Sequence, residues 1–199
     1  FNKRNYLAVD RQGGQKRERT PHIEKQPEMN PAKITCIEDL RQIYESRVPR
    51  MFYDYCDTGS YTTGTYVDNT RAFDKYKLRQ RVARNIDNRS LKTRMVGQDV
   101  SMPVALAPIG LGGMQHADGE IKACRAAQKF GVPYTLTTMS ICSIEEVARH
   151  NDKPFWFQLY VMRDRGFASD LVARARAAKC SALVLTLDLQ LLGQRHQVG

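Results

Sequence analysis

Four short apolar runs in this chain carry candidate site groups at their carboxyl ends: Pro108-Ile109-Gly110, Thr137-Thr138, Gln158 with Tyr160, and Thr186 with Asp188. Hydroxyl and carboxamide groups both donate and accept hydrogen bonds, so such positions can hold a polar ligand. The plain alternative is that Thr137, Gln158 and Thr186 are interior groups bonded to one another, since buried polar groups must pair. Gly110-Leu111-Gly112-Gly113 invites a dinucleotide reading, but the G-x-G-x-x-G form needs glycine where Gln115 stands. The next run ends in threonines, with no acid for a ribose hydroxyl. The glycines are read as a turn that permits close backbone approach. Cys36, Cys56, Cys124, Cys142 and Cys180 are scattered without a C-x-x-C pair. They suggest neither a disulfide framework nor a zinc site. His116 and His150 lie in polar helix-flanking stretches and are expected to be exposed, and His196 is not taken as a catalytic base.

The elements that must position these groups alternate. Strands are predicted at 104–107, 134–137, 155–160 and 183–187, and helices at 119–130, 143–149 and 169–179. Apolar strands with intervening amphipathic helices mean a parallel sheet covered on both faces. Strand starts at 104, 134, 155 and 183 are compatible with the roughly 31 residues per unit of a (β/α)8 barrel. An open doubly wound sheet also binds ligands at the carboxyl ends of its strands, so the spacing favours the barrel only modestly. Residues 34–102 read as a helical prelude and extended connection. Its first helix opens on a Thr35-x-x-Glu38 capping box and carries Ile37, Leu40, Ile43, Tyr44 and Val48 at helical spacing. A second short helix, Met51 to about Asp57, is stopped by Gly59, and a third segment runs from Asn69 to Tyr76. Residues 1–33 are polar and proline-bearing without apolar period, and read as a disordered basic arm, with Met29 a candidate start.

The 199 residues carry a formal charge of +10, with eight basic and four acidic groups in the first 33. No nucleic-acid fold signature accompanies that charge, and no nucleic-acid partner is expected. No apolar run approaches the roughly 20 residues that span a bilayer. No secretory signal is visible, and a reducing cytosol is the expected compartment.

Several segments together carry a resemblance: Tyr53-Asp54-Tyr55 with Gly59, Met102-Pro-Val-Ala-Leu-Ala-Pro108, Ser143-Ile-Glu-Glu-Val147, Trp156-Phe-Gln-Leu-Tyr160, and Leu185-Thr-Leu-Asp188 through Gly193. In order and spacing they resemble the FMN-dependent L-2-hydroxy-acid dehydrogenases and oxidases. Leu78-Arg-Gln-Arg81 and Leu159 through Gly166 resemble the bacterial, quinone- or cytochrome-linked L-lactate dehydrogenase subgroup. The resemblance runs from about Ile34 to His196. It implies an α/β fold, a (β/α)8 TIM barrel of which residues 103–199 are the first four β/α units, preceded by the helical prelude.

The resemblance also implies a chemistry, oxidation of an L-2-hydroxy acid such as L-lactate to the 2-oxo acid, with FMN as cofactor. A quinone, a cytochrome or oxygen would be the electron acceptor. Pro108, Ile109 and Gly110 match the segment behind the flavin ring. Thr137, Gln158 and Thr186 match polar groups around the flavin, Gln158 suiting its imide edge. Tyr55 and Arg195 match groups that bind the substrate carboxylate, and Tyr160 one near the substrate hydroxyl. Asp188 is assigned structural support. The family's histidine base, its lysine near the flavin, its main carboxylate-binding arginine and its phosphate-binding loops match nothing in these residues. The chain is therefore expected to be the inactive amino-terminal half of a longer, homo-oligomeric enzyme, with room for peripheral attachment to the inner face of the plasma membrane. A non-catalytic flavin-binding or subunit-interaction fragment, and a glycolate-type oxidase, stay open as alternatives.

Overall fold

The computed structural model describes residues 33–189 and 191–196. Except for Lys33, the expected basic arm lies outside the described residues.

Helix α1 (Ile37–Arg47) begins one residue later than the Thr35-x-x-Glu38 box implies. Its N-cap is Cys36, and the reciprocal acceptor is Asp39, whose Oδ2 takes hydrogen bonds from the Thr35 amide at 2.7 Å, the Thr35 hydroxyl at 2.9 Å and the Cys36 amide at 3.2 Å. Glu38 instead pairs with Arg41 at 2.7 Å. Of the apolar stripe, Ile37 and Leu40 are exposed, whereas Ile43, Tyr44 and Val48 are half-buried.

Helix α2 (Arg50–Cys56) and helix α3 (Gly64–Arg71) follow, and a 3-10 turn covers Ala72–Lys75. The helix thus starts five residues before the predicted Asn69. Gly59 has a different role from stopping α2. A Cβ there would lie 2.8 Å from Cβ of Tyr66, so glycine lets α3 approach. The helices are tied by Asp57, which accepts from the hydroxyls of Tyr53 and, at 3.0 Å, Tyr66, and pairs with Arg41 at 3.2 Å. The bond to Asp57, with burial and the Asp57 charge, pushes the Tyr53 phenol up to about 12.

Past exposed chain at 77–92, β1 (Thr93–Met95) and β2 (Gln98–Val100) form an antiparallel hairpin that the sequence reading missed. Val96 and Gly97 both have positive φ, 45° and 78°, as a two-residue turn of the primed kind requires. Gln98 reaches the sheet, bonding the Ser181 hydroxyl and accepting from the Trp156 indole at 3.2 Å.

The main sheet is parallel, in the order β3 (Thr135–Thr137), β4 (Trp156–Leu159), β5 (Ala182–Leu185). The predicted strand at 104–107 is reduced to one parallel bridge, Leu106 to Tyr134. Flanking Pro103 and Pro108 lack the amide hydrogens a ladder needs. Helices α4 (Gly112–Gln115), α5 (Gly119–Phe130), α6 (Ile144–Arg149) and α7 (Arg165–Ala177) connect the strands. α7 starts four residues before its predicted Ser169 because Asp164 caps it, accepting from the Gly166 and Phe167 amides at 2.8 and 3.2 Å. Ser143 and Glu146 form a reciprocal capping box on α6.

Side chains alternate across the sheet. Leu136, Phe155, Phe157 and Leu159 enter a core with Ile121, Cys124, Val147 and Leu171 of the helices. Thr135, Thr137, Trp156 and Gln158 are also buried, on the opposite pleat. β5 is the exposed edge, with Leu183 and Leu185 about half exposed.

Between α6 and α7, Arg174 grips Glu145 by two bonds of 2.8 Å. The Arg174 guanidinium holds the Glu145 carboxyl down at about 2. A depressed carboxylate stabilises the fold above its unfolded value and loses that contribution as pH falls through the folded value. This pair is half exposed, so its worth is at most about 1 kcal/mol. The stability difference between the native chain and Glu145→Gln, read by urea unfolding, should shrink from about pH 4.3 towards pH 2 and should also shrink in high salt. A constant difference across that window would exclude the pair as its source.

Candidate active site

Thr137, Gln158, Tyr160 and Thr186 lie at the carboxyl ends of the parallel strands. In register, Thr137 lies opposite Gln158 and Gln158 opposite Val184, so Thr186 projects from the same pleat two residues on. The three side chains join in one ladder. The Thr137 hydroxyl donates to Gln158 Oε1 at 2.8 Å, and Gln158 Nε2 donates to the Thr186 hydroxyl at 2.9 Å. The Thr138 amide also reaches Gln158 Oε1, at 3.2 Å, and the Met139 amide reaches the Thr137 hydroxyl, at 3.1 Å. The plain alternative, interior groups bonded to one another, is thus met, but it does not use every donor. A carboxamide nitrogen carries two hydrogens and a hydroxyl that accepts still carries its own. Among the described residues, one hydrogen of Gln158 and that of Thr186 find no acceptor.

Pro108 and Gly110 are half-buried and Ile109 is exposed. Their loop runs beside the one after β3, with the Leu111 amide donating to the Met139 carbonyl at 2.9 Å and a Cβ on Gly110 lying 3.6 Å from that of Met139. The Gly110 amide donates to no described residue. The half-buried Tyr160 uses its backbone amide on the Thr138 hydroxyl at 3.1 Å, while its own hydroxyl has no partner among the described residues.

Tyr55 and Arg195, 140 residues apart, meet. The Arg195 guanidinium lies 4.6 Å from the centre of the Tyr55 ring and donates to the carbonyls of Tyr55 and, at 3.2 Å, Thr58. Gly193 permits this return of the chain, since a Cβ there would lie 2.4 Å from the Ser60 hydroxyl oxygen. The prelude is also docked at its other side, where Tyr44 donates to Gln115 Oε1 of α4 at 2.6 Å.

Other candidates stand apart. His116 and His150 are exposed, as expected, and His196 lies against Tyr61 with ring centres 6.3 Å apart. Asp188, expected to give support, is exposed and has no hydrogen bond or ion pair among the described residues. Burial pushes the Cys124 thiol up to about 12, and Cys142 and Cys180 to about 11, so these are not thiolate nucleophiles at neutral pH. Among the described residues no cluster of three or more His, Cys, Asp or Glu side chains could hold a metal, and no helix is long and apolar enough to cross a membrane.

The sequence reading missed Glu120. It is 2% exposed, and its Oε1 accepts from the amides of Gly113 at 2.8 Å and Ile141 at 3.0 Å. Its signal was available, because Glu120 shares the buried stripe of α5 with Ile121, Cys124 and Ala127. A charge on such a face is rarely unpartnered.

The profile of the family described as FMN-dependent dehydrogenase matches residues 44–198. The chain belongs to the FMN-dependent dehydrogenase family. Relatives of this FMN-dependent dehydrogenase chain include the L-lactate dehydrogenase of Ectopseudomonas mendocina, 44% identical over 82% of this chain and 43% of that protein. The L-lactate dehydrogenase of Xanthomonas campestris is 45% identical over 82% of this chain and 42% of its own length. A solved structure of a soluble mutant of the membrane-associated (S)-mandelate dehydrogenase from Pseudomonas putida superposes with a TM-score of 0.77 at 35% identity, over 80% of this chain and 45% of that one. A monotopic membrane (S)-mandelate dehydrogenase superposes with a TM-score of 0.79 at 33% identity, over 83% and 44%. The chain spans less than half the length of the relatives it matches.

Membership of the FMN-dependent dehydrogenases indicates FMN as cofactor, and the residues fit it. A flavin's pyrimidine edge is rich in acceptors, and the ladder presents two unspent donors. The free Gly110 amide supplies a third donor from a loop whose glycines keep the backbone open to close approach.

Proposed function

We propose that this chain is the amino-terminal portion of an FMN-dependent L-2-hydroxy-acid dehydrogenase that oxidises L-lactate to pyruvate. The Leu106 bridge segment and the three parallel strands then correspond to the first four strands of a (β/α)8 barrel. The observation that carries the reading is the Thr137–Gln158–Thr186 ladder with its unspent donors, in a chain 44% identical to an L-lactate dehydrogenase. Bound FMN supplies an acceptor for the two electrons that leave the substrate. Gln158 and Thr186 donate to the flavin's imide edge, and the Pro108–Gly110 loop forms the wall behind the ring, with the Gly110 amide as a further donor.

Arg195 and Tyr55 hold the substrate carboxylate. A guanidinium matches a carboxylate in charge and plane, and stacking on the Tyr55 ring fixes its orientation. The Tyr160 hydroxyl meets the substrate hydroxyl. Two protons leave as the 2-oxo acid forms, and the base that takes one of them is a histidine outside these residues. A quinone or cytochrome would be the final electron acceptor, for a subunit that assembles into a homo-oligomer in the cytoplasm and sits peripherally on the plasma membrane. The membrane-associated (S)-mandelate dehydrogenase supports that placement. Oxygen as acceptor and a glycolate-type substrate are the competing outcomes.

The test is anaerobic addition of L-lactate, glycolate or (S)-mandelate to the FMN-loaded full protein. Bleaching of the flavin by L-lactate at the lowest concentration is expected, and bleaching by none of the three would refute the reading. Arg195→Ala should raise KM for lactate at least about tenfold, since a charge-assisted bond is worth about 1.5–3 kcal/mol, while leaving FMN content unchanged. An unaltered KM would remove Arg195 from the carboxylate pocket.

A further inference from the structure

We propose that Glu120 is a positioning residue, a brace that locks the loop bearing Gly110 against the loop after β3 and so sets the flavin-facing wall. The inference rests on the flavin reading above and names a residue that reading does not use.

Glu120 has no ion pair among the described residues, although its carboxylate is almost wholly buried. A buried charge needs compensating hydrogen bonds. It finds two from the amides of other residues, and they come from different loops. Gly113 follows the candidate flavin segment, and Ile141 follows Thr137 and Thr138. Burial alone would push Glu120 up, but the Ile141 amide, its own amide and the Gly113 amide outweigh burial and hold the carboxyl below its usual range.

The surrounding chain is shaped to admit this side chain. A Cβ on Gly112 would lie 3.2 Å from Glu120 Oε1, and one on Gly113 would lie 3.1 Å from Oε2 and 2.7 Å from Cβ of Ile141. A Cβ on Gly119 would lie 2.5 Å from the Gly112 carbonyl oxygen. Glycine at all three positions brings the α4 turn down onto the carboxylate.

The segment held this way is strained. Leu111, next to Gly110, has left-handed dihedrals, φ 57° and ψ 32°. A branched side chain adopts these only where its surroundings over-determine them. The Leu111 amide on Met139, the Met114 amide on the Leu111 carbonyl at 3.0 Å and the Gly113 amide on Glu120 are bonds that do so. Without the brace, one of these restraints is lost and the Gly110 amide loses its fixed direction. Among the described residues Oε2 is buried without a hydrogen-bond partner, the Cys142 thiol being a weak further contact of the carboxylate. The side chain therefore acts through Oε1, and an amide oxygen can take that place.

The experiment uses the full protein and reads FMN affinity by equilibrium dialysis, with amide exchange at Gly113 and Ile141. Glu120→Ala should weaken FMN binding by about tenfold or more and expose both amides to exchange. Glu120→Gln, which keeps one carbonyl acceptor, should restore affinity to within about threefold. Val147→Ala, a core truncation on α6, is the stability control and should leave FMN affinity unchanged.

If Glu120→Ala does not fold, Glu120→Asp replaces it, because the shorter side chain cannot reach both amides and should lose affinity while keeping its charge. Unchanged affinity in these variants, with native protein that binds FMN, overturns the brace and leaves the flavin reading standing. Native protein that binds no FMN overturns the flavin reading, and the brace falls with it. Equal loss in Val147→Ala reduces Glu120 to a general contributor to stability and overturns its positioning role.

Discussion

Phe157→Ala should lower the unfolding free energy by about 3–5 kcal/mol, the usual cost of removing a buried aromatic ring. Phe157 is 1% exposed, at the middle of β4, with Leu136 opposite it on β3 and Leu183 on β5. Its ring belongs to the cluster that joins the sheet to α5, α6 and α7. No flexible neighbour can refill the volume, because Cys124, Leu136 and Val147 are themselves fully buried. A domain of this kind has only about 5–15 kcal/mol in hand, so the variant should unfold at a visibly lower urea midpoint. Phe157→Leu, which keeps most of the apolar volume, should lose less than half as much. A shift in midpoint no larger than that of a surface substitution would mean that β4 is not the centre of this core.

The second large effect is expected at Gln158. Gln158→Leu keeps the size and removes the donor and acceptor at the centre of the ladder. The Thr137 hydroxyl hydrogen and the Thr186 oxygen then lose their partner, whereas the Thr138 amide keeps the Gln158 backbone carbonyl at 3.0 Å. An orphaned buried polar group costs about 1–3 kcal/mol. Thr186 is only half-buried and can turn to water, so a total of about 2 kcal/mol is expected. On the proposed role of Gln158 as imide-edge donor, FMN affinity should fall further than stability explains, by about tenfold or more. Dialysis against FMN and urea unfolding of the same preparation separate the two. Loss of stability with FMN affinity intact would return Gln158 to the plain role of an interior polar residue.

What could be read from the chain follows the range of the forces involved. Helix α5 was legible to the residue because an apolar stripe and Gly131, at φ 83°, mark its body and its end. The strands were legible as apolar runs, but a run does not say how many neighbours it has, so 104–107 shrank to a bridge. The hairpin β1–β2 was not legible, since its three-residue strands are half polar and Val96 is an unlikely residue for a left-handed turn position. At the site, Thr137, Gln158 and Thr186 were visible because polar groups ending apolar strands are conspicuous. The meeting of Tyr55 with Arg195 depends on a close approach at Gly193 that no local pattern encodes. Glu120 is a charge on a buried helix face, and its amide partners Gly113 and Ile141 come from loops whose approach no local pattern encodes.

The hairpin that the sequence concealed also gives the protein an optical reporter. The chain has one tryptophan. Trp156 is 8% exposed, and its indole hydrogen is held by Gln98 of the hairpin. Within these 199 residues, tryptophan fluorescence therefore comes from a single indole at the junction of hairpin and sheet. Its emission follows the docking of β1–β2 onto the start of β4, separately from helix content. Gln98→Ala should shift that emission to longer wavelength while circular dichroism stays constant. Any movement at the amino-terminal end of the strands can be followed in real time without attaching a dye.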